Sequence, residues 1–298
     1  MRVSRMKTEK ENFAEGFAAG IGMKAWRALL EEVYTTPKPG LVDLYSNGAH
    51  TDMDVHTFER SAQALRPYFC SMAARGYLMD AGPEELFRKI RATGIAAEKA
   101  MYRATDDINT HKGLIFTLGI FCAAAGRCMR DTGKITAGGL FLTEQQMTVK
   151  ILTDELEQLR GKEAVSNGER NLKAYGSAGI RGEAILGYPA VWEIALPVMR
   201  QGIREKRDWN LIKLQVLFTL MSRVEDSNIL SRQDPETLRK VHREAEDFLG
   251  QGGAYADNAL LKLQKMDDDY IRRNISAGGC ADLLAASIFI GMLLGYME

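Results

Sequence analysis

Residues 113–130 read GLIFTLGIFCAAAGRCMR, apolar on nearly every side of a helical projection. A helix at a protein surface carries one apolar stripe, so a helix apolar all round belongs at the centre of a bundle. Helical patterns continue on both sides. Toward the N-terminus, Phe13 to Tyr34 is rich in Ala, Leu, Met and Glu and is stopped by Pro37 and Pro39. Val55 to Met79 follows Asp54 as N-cap, with Pro67 as a kink, and Pro83-Glu84-Glu85 opens a helix to about Ala104.

Toward the C-terminus, a polar helix with glycine-rich flanks is expected between Thr143 and Leu159, then helices over Ala190–Gln201 and Trp209–Arg223. Asp234-Pro235-Glu236 opens another, which ends at the Gly250–Gly253 cluster, and Tyr255–Arg272 and Ala281–Met297 complete the set. Alternating strand patterns, fixed-period repeats and low-complexity linkers are nearly absent. The expectation is one all-α domain over residues 1–298, a multi-helix bundle of roughly ten helices with active-site loops at helix ends.

Composition narrows the function. Lys plus Arg and Asp plus Glu number 39 each, so the net charge is zero, against the basic surface of a nucleic-acid binder. Cys70, Cys122, Cys128 and Cys280 form no Cys-x-x-Cys pair, which argues against zinc and fits a reducing compartment. The N-terminal MRVSRMKTEKENFAEGF starts basic and has no apolar core for export. No window reaches the roughly 18 uninterrupted apolar residues of a membrane span, because Asp282 breaks the nearest one. A soluble, cytoplasmic protein without membrane or nucleic-acid partners is expected. The apolar C-terminal helix is available as an interface in a homo-oligomer.

Five polar, glycine-bearing segments punctuate the helices: Pro37 to Asp43 running on to Gly48–Met53, Asn109–Gly113, Gly179–Glu183, Glu225–Asn228 and Ser276–Asp282. In them Asp43, Asp52, Asn109, Glu183, Asp226, Asn228 and Asp282 recur beside Lys38, Lys112 and Arg181. Such oxygen ligands suit Mg²⁺ shared with phosphate, the cations suit a polyphosphate, and helix N-termini add free N–H groups. Plainer readings exist for each residue alone. Asp52 and Asp282 fit helix caps, Gly278-Gly279 a tight turn, His56 and His242 ordinary helix positions, and Asp267–Asp269 a solvated face. No P-loop, Rossmann fingerprint or Gly-x-Ser-x-Gly elbow is present. Composition and spacing alone give a helical protein with a Mg²⁺–phosphate site.

The segments Pro37-Lys-Pro-Gly-Leu-Val-Asp43, Gly48-Ala-His-Thr-Asp-Met53, Asn109-Thr-His-Lys-Gly113, Arg181-Gly-Glu-Ala184 and Ser276-Ala-Gly-Gly-Cys-Ala-Asp-Leu-Leu-Ala285, in this order, closely resemble the triphosphoribosyl-dephospho-CoA synthase family. That family makes the prosthetic-group precursor of citrate lyase, with a sister branch serving malonate decarboxylase. Departures are Asp226-Ser-Asn228 for the usual Asp-Thr-Asn, Gln233-Asp234 for a glycine pair after Arg232, Ala49 before His50 and Cys280 for a common serine.

The resemblance implies transfer of the triphosphoribosyl group of ATP to the ribose 2′-hydroxyl of 3′-dephospho-CoA, with loss of adenine. The product would pass to a separate holo-acyl-carrier-protein synthase. On that basis Glu183 and Asp43 are assigned as catalytic carboxylates, with Glu183 as general base or cation stabiliser because Arg181 lies close in sequence to orient it. Asp52, Asp226 and Asp282 are assigned to Mg²⁺. Lys38, His50, His111, Lys112 and Arg181 are assigned to the triphosphate, and Asn109 and Asn228 to ribose hydroxyls. The rivals are a Mg²⁺-dependent helical N-glycosidic hydrolase resembling ADP-ribosyl hydrolases, and a non-enzymatic nucleotide- or CoA-binding module.

Overall fold

The computed structural model describes residues 8–159 and 163–297, and every regular element in them is helical. The basic stretch over residues 1–7, part of the reading that no export core is present, lies outside the described residues. The first five helices are α1 (Glu9–Val33), α2 (Val55–Leu78), α3 (Pro83–Ala104), α4 (Lys112–Thr132) and α5 (Ala137–Leu159). Two short ones follow, α6 (Asn167–Tyr175) and α7 (Gly179–Ile185), and a π-helical turn Ala190–Ala195 runs into α8 (Leu196–Arg204). The remainder are α9 (Trp209–Met221), α10 (Ser227–Arg232), α11 (Pro235–Gly250), α12 (Ala259–Arg272) and α13 (Gly278–Leu293).

The described residues thus form the expected all-α bundle, with thirteen α-helices where the periodicity shows roughly ten. The additional ones, α6, α7 and α10, have 9, 7 and 6 residues, too few turns to show a 3.6-residue period. Their ends are signalled instead by side chains. Ser166 caps α6 in a reciprocal box with Glu169, and Asp226 caps α10 through the N–H groups of Asn228 and Ile229. The same device starts α1, where Thr8, five residues before the apolar pattern becomes visible at Phe13, and Glu11 cap each other. Asp54 caps α2, with Pro67 inside that helix.

Helix α4 sits at the centre, packed by α2, α3, α5 and α13. It is long and apolar enough to cross a membrane by length and composition, yet 72% of its most apolar window is buried inside the bundle; no other described helix passes that test. Helix α13 is buried along nearly its whole length against α1, α4, α9 and the π-helical turn. Its apolar surface is therefore consumed within this chain, which corrects the expectation that it serves as an interface between copies.

Helices α2 and α4 approach closely through facing glycines. A Cβ on Gly76 would lie 2.1 Å from the Ala123 carbonyl oxygen, and one on Gly126 would lie 2.1 Å from that of Ala73. Backbone cannot retreat as a flexible side chain can, so a methyl group here must separate the helices. Gly16 on α1 has nothing within 4 Å of its virtual Cβ. Gly126→Ala is therefore expected to destabilise the fold by about 1–3 kcal/mol through overpacking. Gly16→Ala is expected to stabilise it by up to about 1 kcal/mol through helix propensity. Urea unfolding of the two variants checks both signs.

Candidate active site

A cavity of about 510 Å³ opens where the α1–α2 loop, the N-termini of α4 and α13, α7 and the turn before α10 meet. Lys38, His50, Asn109, His111, Lys112, Glu183, Asp226, Asn228 and Asp282 all line it. Five segments distant in sequence therefore converge as expected. Several of these residues lie in helices rather than in loops: Glu183 in α7, Asn228 in the first turn of α10, and Asp282 in the second turn of α13.

The α1–α2 loop is held rigidly. Lys38 is buried, and its ammonium donates to the Glu32 carboxylate and, at 2.8 Å, to the Glu32 carbonyl at the end of α1. Asn210 of α9 clamps Thr36 from both sides, donating to its carbonyl and accepting its N–H at 3.0 Å. Asp267 of α12 accepts the Gly40 N–H at 2.8 Å and the Ser46 hydroxyl at 2.7 Å. Asp267 is buried and holds this loop, correcting its assignment to a solvated helix face.

Asp226, also in the lining, is buried, and both its oxygens are engaged. Oδ1 accepts from Asn228 and Ile229, and Oδ2 accepts the Cys280 N–H at 2.8 Å, which ties the start of α10 to the start of α13. Asp282 accepts no hydrogen bond among the described residues. Burial, with the nearby carboxylates of Glu32 and Asp226, pushes its pKa well above the ordinary range. Glu183 is held by the Ala190 N–H at 3.3 Å, and burial raises its pKa. Arg181 does not orient it. Residues i and i+2 of a helix point to different sides, and Arg181 lies outside the cavity lining.

Three further placements depart from the assignments. Both Asp43 oxygens are taken by backbone N–H groups of Lys38, Tyr45 and Ser46, so this carboxylate shapes the loop and does not reach the cavity. Asp52 has a 60% exposed side chain, lies 4.0 Å from His50 Nδ1 and does not line the cavity. Among the described residues no three acidic, histidine or cysteine side chains converge to hold a metal ion. Asp52, Asp226 and Asp282 therefore do not form a ready-made triad.

The cations also differ in availability. Lys112 pairs with Glu98 at 2.6 Å and is half exposed, and Lys38 is neutralised by Glu32. His50 Nε2 lies 3.1 Å from Ser276 Oγ, and burial with the adjacent Arg232 guanidinium lowers its pKa. His111 is buried against the Phe58 ring and its pKa is pushed down to about 3, mainly by burial and then by Lys38, so it is neutral. Asn109 Oδ1 accepts the Lys112 N–H at 3.2 Å across the turn that opens α4.

Sequence reasoning left out Glu32 and Arg232, both in the cavity wall. Glu32 reads as half of a solvated Glu31-Glu32 pair, and only the buried Lys38 distinguishes it. Arg232 donates to the Ala49 carbonyl at 2.5 Å and to Asn274 at 2.6 Å, beside His50. The residues replacing the family's glycine pair are structural here: Gln233 donates to the Arg273 and Asn274 carbonyls, and Asp234 caps α11.

Comparison with known proteins supplies the chemical context. Residues 18–298 match the model of a family described as ATP:dephospho-CoA triphosphoribosyl transferase. The chain belongs to that family. It is 40% identical over 265 residues to a 2-(5''-triphosphoribosyl)-3'-dephosphocoenzyme-A synthase of Klebsiella pneumoniae, covering 89% of this chain and 87% of the relative. A probable synthase of the same description from Vibrio cholerae is 38% identical over 271 residues, 91% of this chain and 87% of the relative. A synthase of that description from Escherichia fergusonii, without the qualifier, is 37% identical over 274 residues, 92% of this chain and 90% of the relative. No solved structure matches.

For this triphosphoribosyl transferase family member, the Lys38–Glu32 contact supports a direct stability test. Removing one partner of a buried ion pair strands the other charge, at a cost of about 3–5 kcal/mol. Lys38→Met is expected to lose stability of that order in denaturant unfolding. The double variant Lys38→Met/Glu32→Gln is expected to recover much of it, because no bare carboxylate remains.

Proposed function

We propose that this chain transfers the triphosphoribosyl group of ATP to the ribose 2′-hydroxyl of 3′-dephospho-CoA, releasing adenine and leaving the triphosphate on the product. The observation that carries this reading is the convergence of the family's motif segments on one cavity within a family match spanning residues 18–298. Neither the hydrolase nor the binding-only alternative gains support from the relatives. The product is the precursor of the citrate lyase acyl-carrier prosthetic group, and a separate carrier-loading synthase is its consumer. We read residues 1–298 as one catalytic domain acting in the cytoplasm. One hydrophobic cluster from Ala18 to Leu293 supports the single domain.

Breaking the bond between C1′ and adenine leaves positive charge on C1′ and the ring oxygen. The cavity suits that charge: burial raises the Asp282 pKa first and the Glu32 and Asp226 carboxylates add to it, and the repulsion among the three is relieved when a cation enters. Glu183 takes the proton of the 2′-hydroxyl as that oxygen bonds to C1′, and its raised pKa makes it a better base than an exposed glutamate. Lys112 and Arg232, beside the N-termini of α4 and α13 in the cavity wall, suit the triphosphate. Asn109 and Asn228, exposed in the wall, suit ribose hydroxyls.

Mg²⁺ enters this reading with the triphosphate. A Mg²⁺ ion held largely by phosphate oxygens and water needs only one or two protein carboxylates. Asp282, with its unengaged oxygens, is the first candidate and Glu32 the second. When bound, the ion neutralises phosphate charge.

Incubation of the purified protein with ATP, Mg²⁺ and 3′-dephospho-CoA is expected to yield adenine and a triphosphoribosyl adduct by mass, both absent without the acceptor. Adenine released without acceptor would instead indicate a hydrolase. Glu183→Gln is expected to lower kcat by about 10²–10⁴-fold. In the wild type, kcat is expected to fall on the acid side through a pKa above the usual glutamate value, since the base must be ionised. That acid limb should be missing from the residual activity of the variant.

A further inference from the structure

Behind the cavity wall, Ser61 of α2 is completely buried and does not itself line the cavity. Its hydroxyl lies 2.7 Å from His111 Nδ1, and it accepts the Thr110 hydroxyl at 2.7 Å. With that bond received, the Ser61 proton is free to point at Nδ1, which then serves as acceptor. His111 consequently carries its own proton on Nε2. That atom is buried and has no partner, on a residue that lines the cavity. An unpartnered ring nitrogen that neighbouring hydroxyls have already oriented is a group waiting for a ligand atom.

The geometry points to Ser61 as a positioning residue that fixes His111 as the Nε2–H tautomer, with this neutral N–H donating to a ring nitrogen of the departing adenine. The inference rests on the transferase reading and deepens it. A neutral imidazole is a poor counter-charge for a triphosphate, the nearby Lys38 is already paired with Glu32, and the Phe58 ring at 5.0 Å gives His111 an apolar neighbour. Adenine leaves with the electron pair of the C1′–N9 bond, and the negative charge spreads over its ring nitrogens. A fixed N–H donor stabilises that charge as it develops, without giving up its proton. The 2′-hydroxyl oxygen forms the new bond to C1′, its proton goes to Glu183, and the adenine anion is reprotonated from Glu183 through solvent. Atoms and charge therefore balance with no further reactant.

The test combines a spectrum with kinetics. In full-length protein labelled with ring-¹⁵N histidine, the His111 signals, assigned by their loss in His111→Gln, are expected to show an unprotonated Nδ1 and a protonated Nε2 at neutral pH. Ser61→Ala is expected to give a mixture of tautomers and to lower kcat by about 10–100-fold, less than loss of the donor itself, with KM for ATP little changed. One of 3-deaza-ATP and 7-deaza-ATP is expected to slow the wild type while slowing His111→Gln no further, because the contact is already missing.

An Nδ1–H tautomer in the wild type would overturn the positioning role. Fully additive losses with both analogues would overturn the adenine contact, as would a His111→Gln defect confined to KM for ATP. A wild type with the Nε2–H signature that produces neither adenine nor adduct would overturn the transferase reading and the adenine contact with it. The tautomer assignment would then stand on the spectrum alone. A Ser61→Ala protein with wild-type melting temperature and the shifted tautomer separates this role from simple packing.

Discussion

The buried ion pair between Lys38 and Glu32 sets the conditions for the rest of the site. Burying two charges is expensive unless each is hydrogen-bonded, and the arrangement meets that requirement by placing the ammonium on both the carboxylate and the backbone carbonyl of Glu32, near the end of α1. A neighbouring pair repeats the pattern: Lys213 of α9 reaches the Glu31 carbonyl and carboxylate, both at 2.9 Å. Two lysines thus cap the C-terminal end of α1, where the helix dipole favours positive charge. The loop that follows is fixed to α9 by Asn210 and to α12 by Asp267, leaving its position little freedom.

This constraint redistributes charge in the cavity. Since Lys38 is neutralised by Glu32, an anionic substrate must find its cations elsewhere, at Lys112, at Arg232 and at helix N-termini. The carboxylates lie deeper. Asp226 is engaged with backbone N–H groups, whereas Asp282 retains open oxygens and a strongly raised pKa. Cations and carboxylates of raised pKa lining one cavity match a substrate that is anionic at its triphosphate and becomes cationic at C1′.

The sequence reveals which segments meet, and it does so for a physical reason. Chemistry-bearing residues at helix ends carry glycine, proline and amide signatures that differ from the amphipathic patterns around them. What it conceals is which oxygen is already occupied. Asp43 and Asp226 are similar as letters, yet the first is closed off by its own loop while the second faces the cavity as it joins two helix starts. Glu32 and Asp267 sit in charged runs that resemble solvated faces, and only long-range packing against Lys38 and Gly40 shows otherwise. Helix α7 is hidden in the sequence because seven residues supply too little periodicity, and closeness in sequence does not make Arg181 and Glu183 partners, since i and i+2 on a helix point to different sides.

The glycine that closes the Asn109–Gly113 segment has a physical explanation in the same terms. Gly113 faces Asp282 across the contact between α4 and α13, and a Cβ there would lie 2.3 Å from Asp282 Oδ2. Any side chain at position 113 would push the carboxylate away from the cavity or separate the two helices. The absence of a side chain in the first turn of α4 thus brings an unengaged carboxylate of α13 to the same wall that His111 and Lys112 form. Glycine weakens a helix interior by roughly 1 kcal/mol relative to alanine, but it stands here in the first turn, where that penalty is smallest and the close approach is needed.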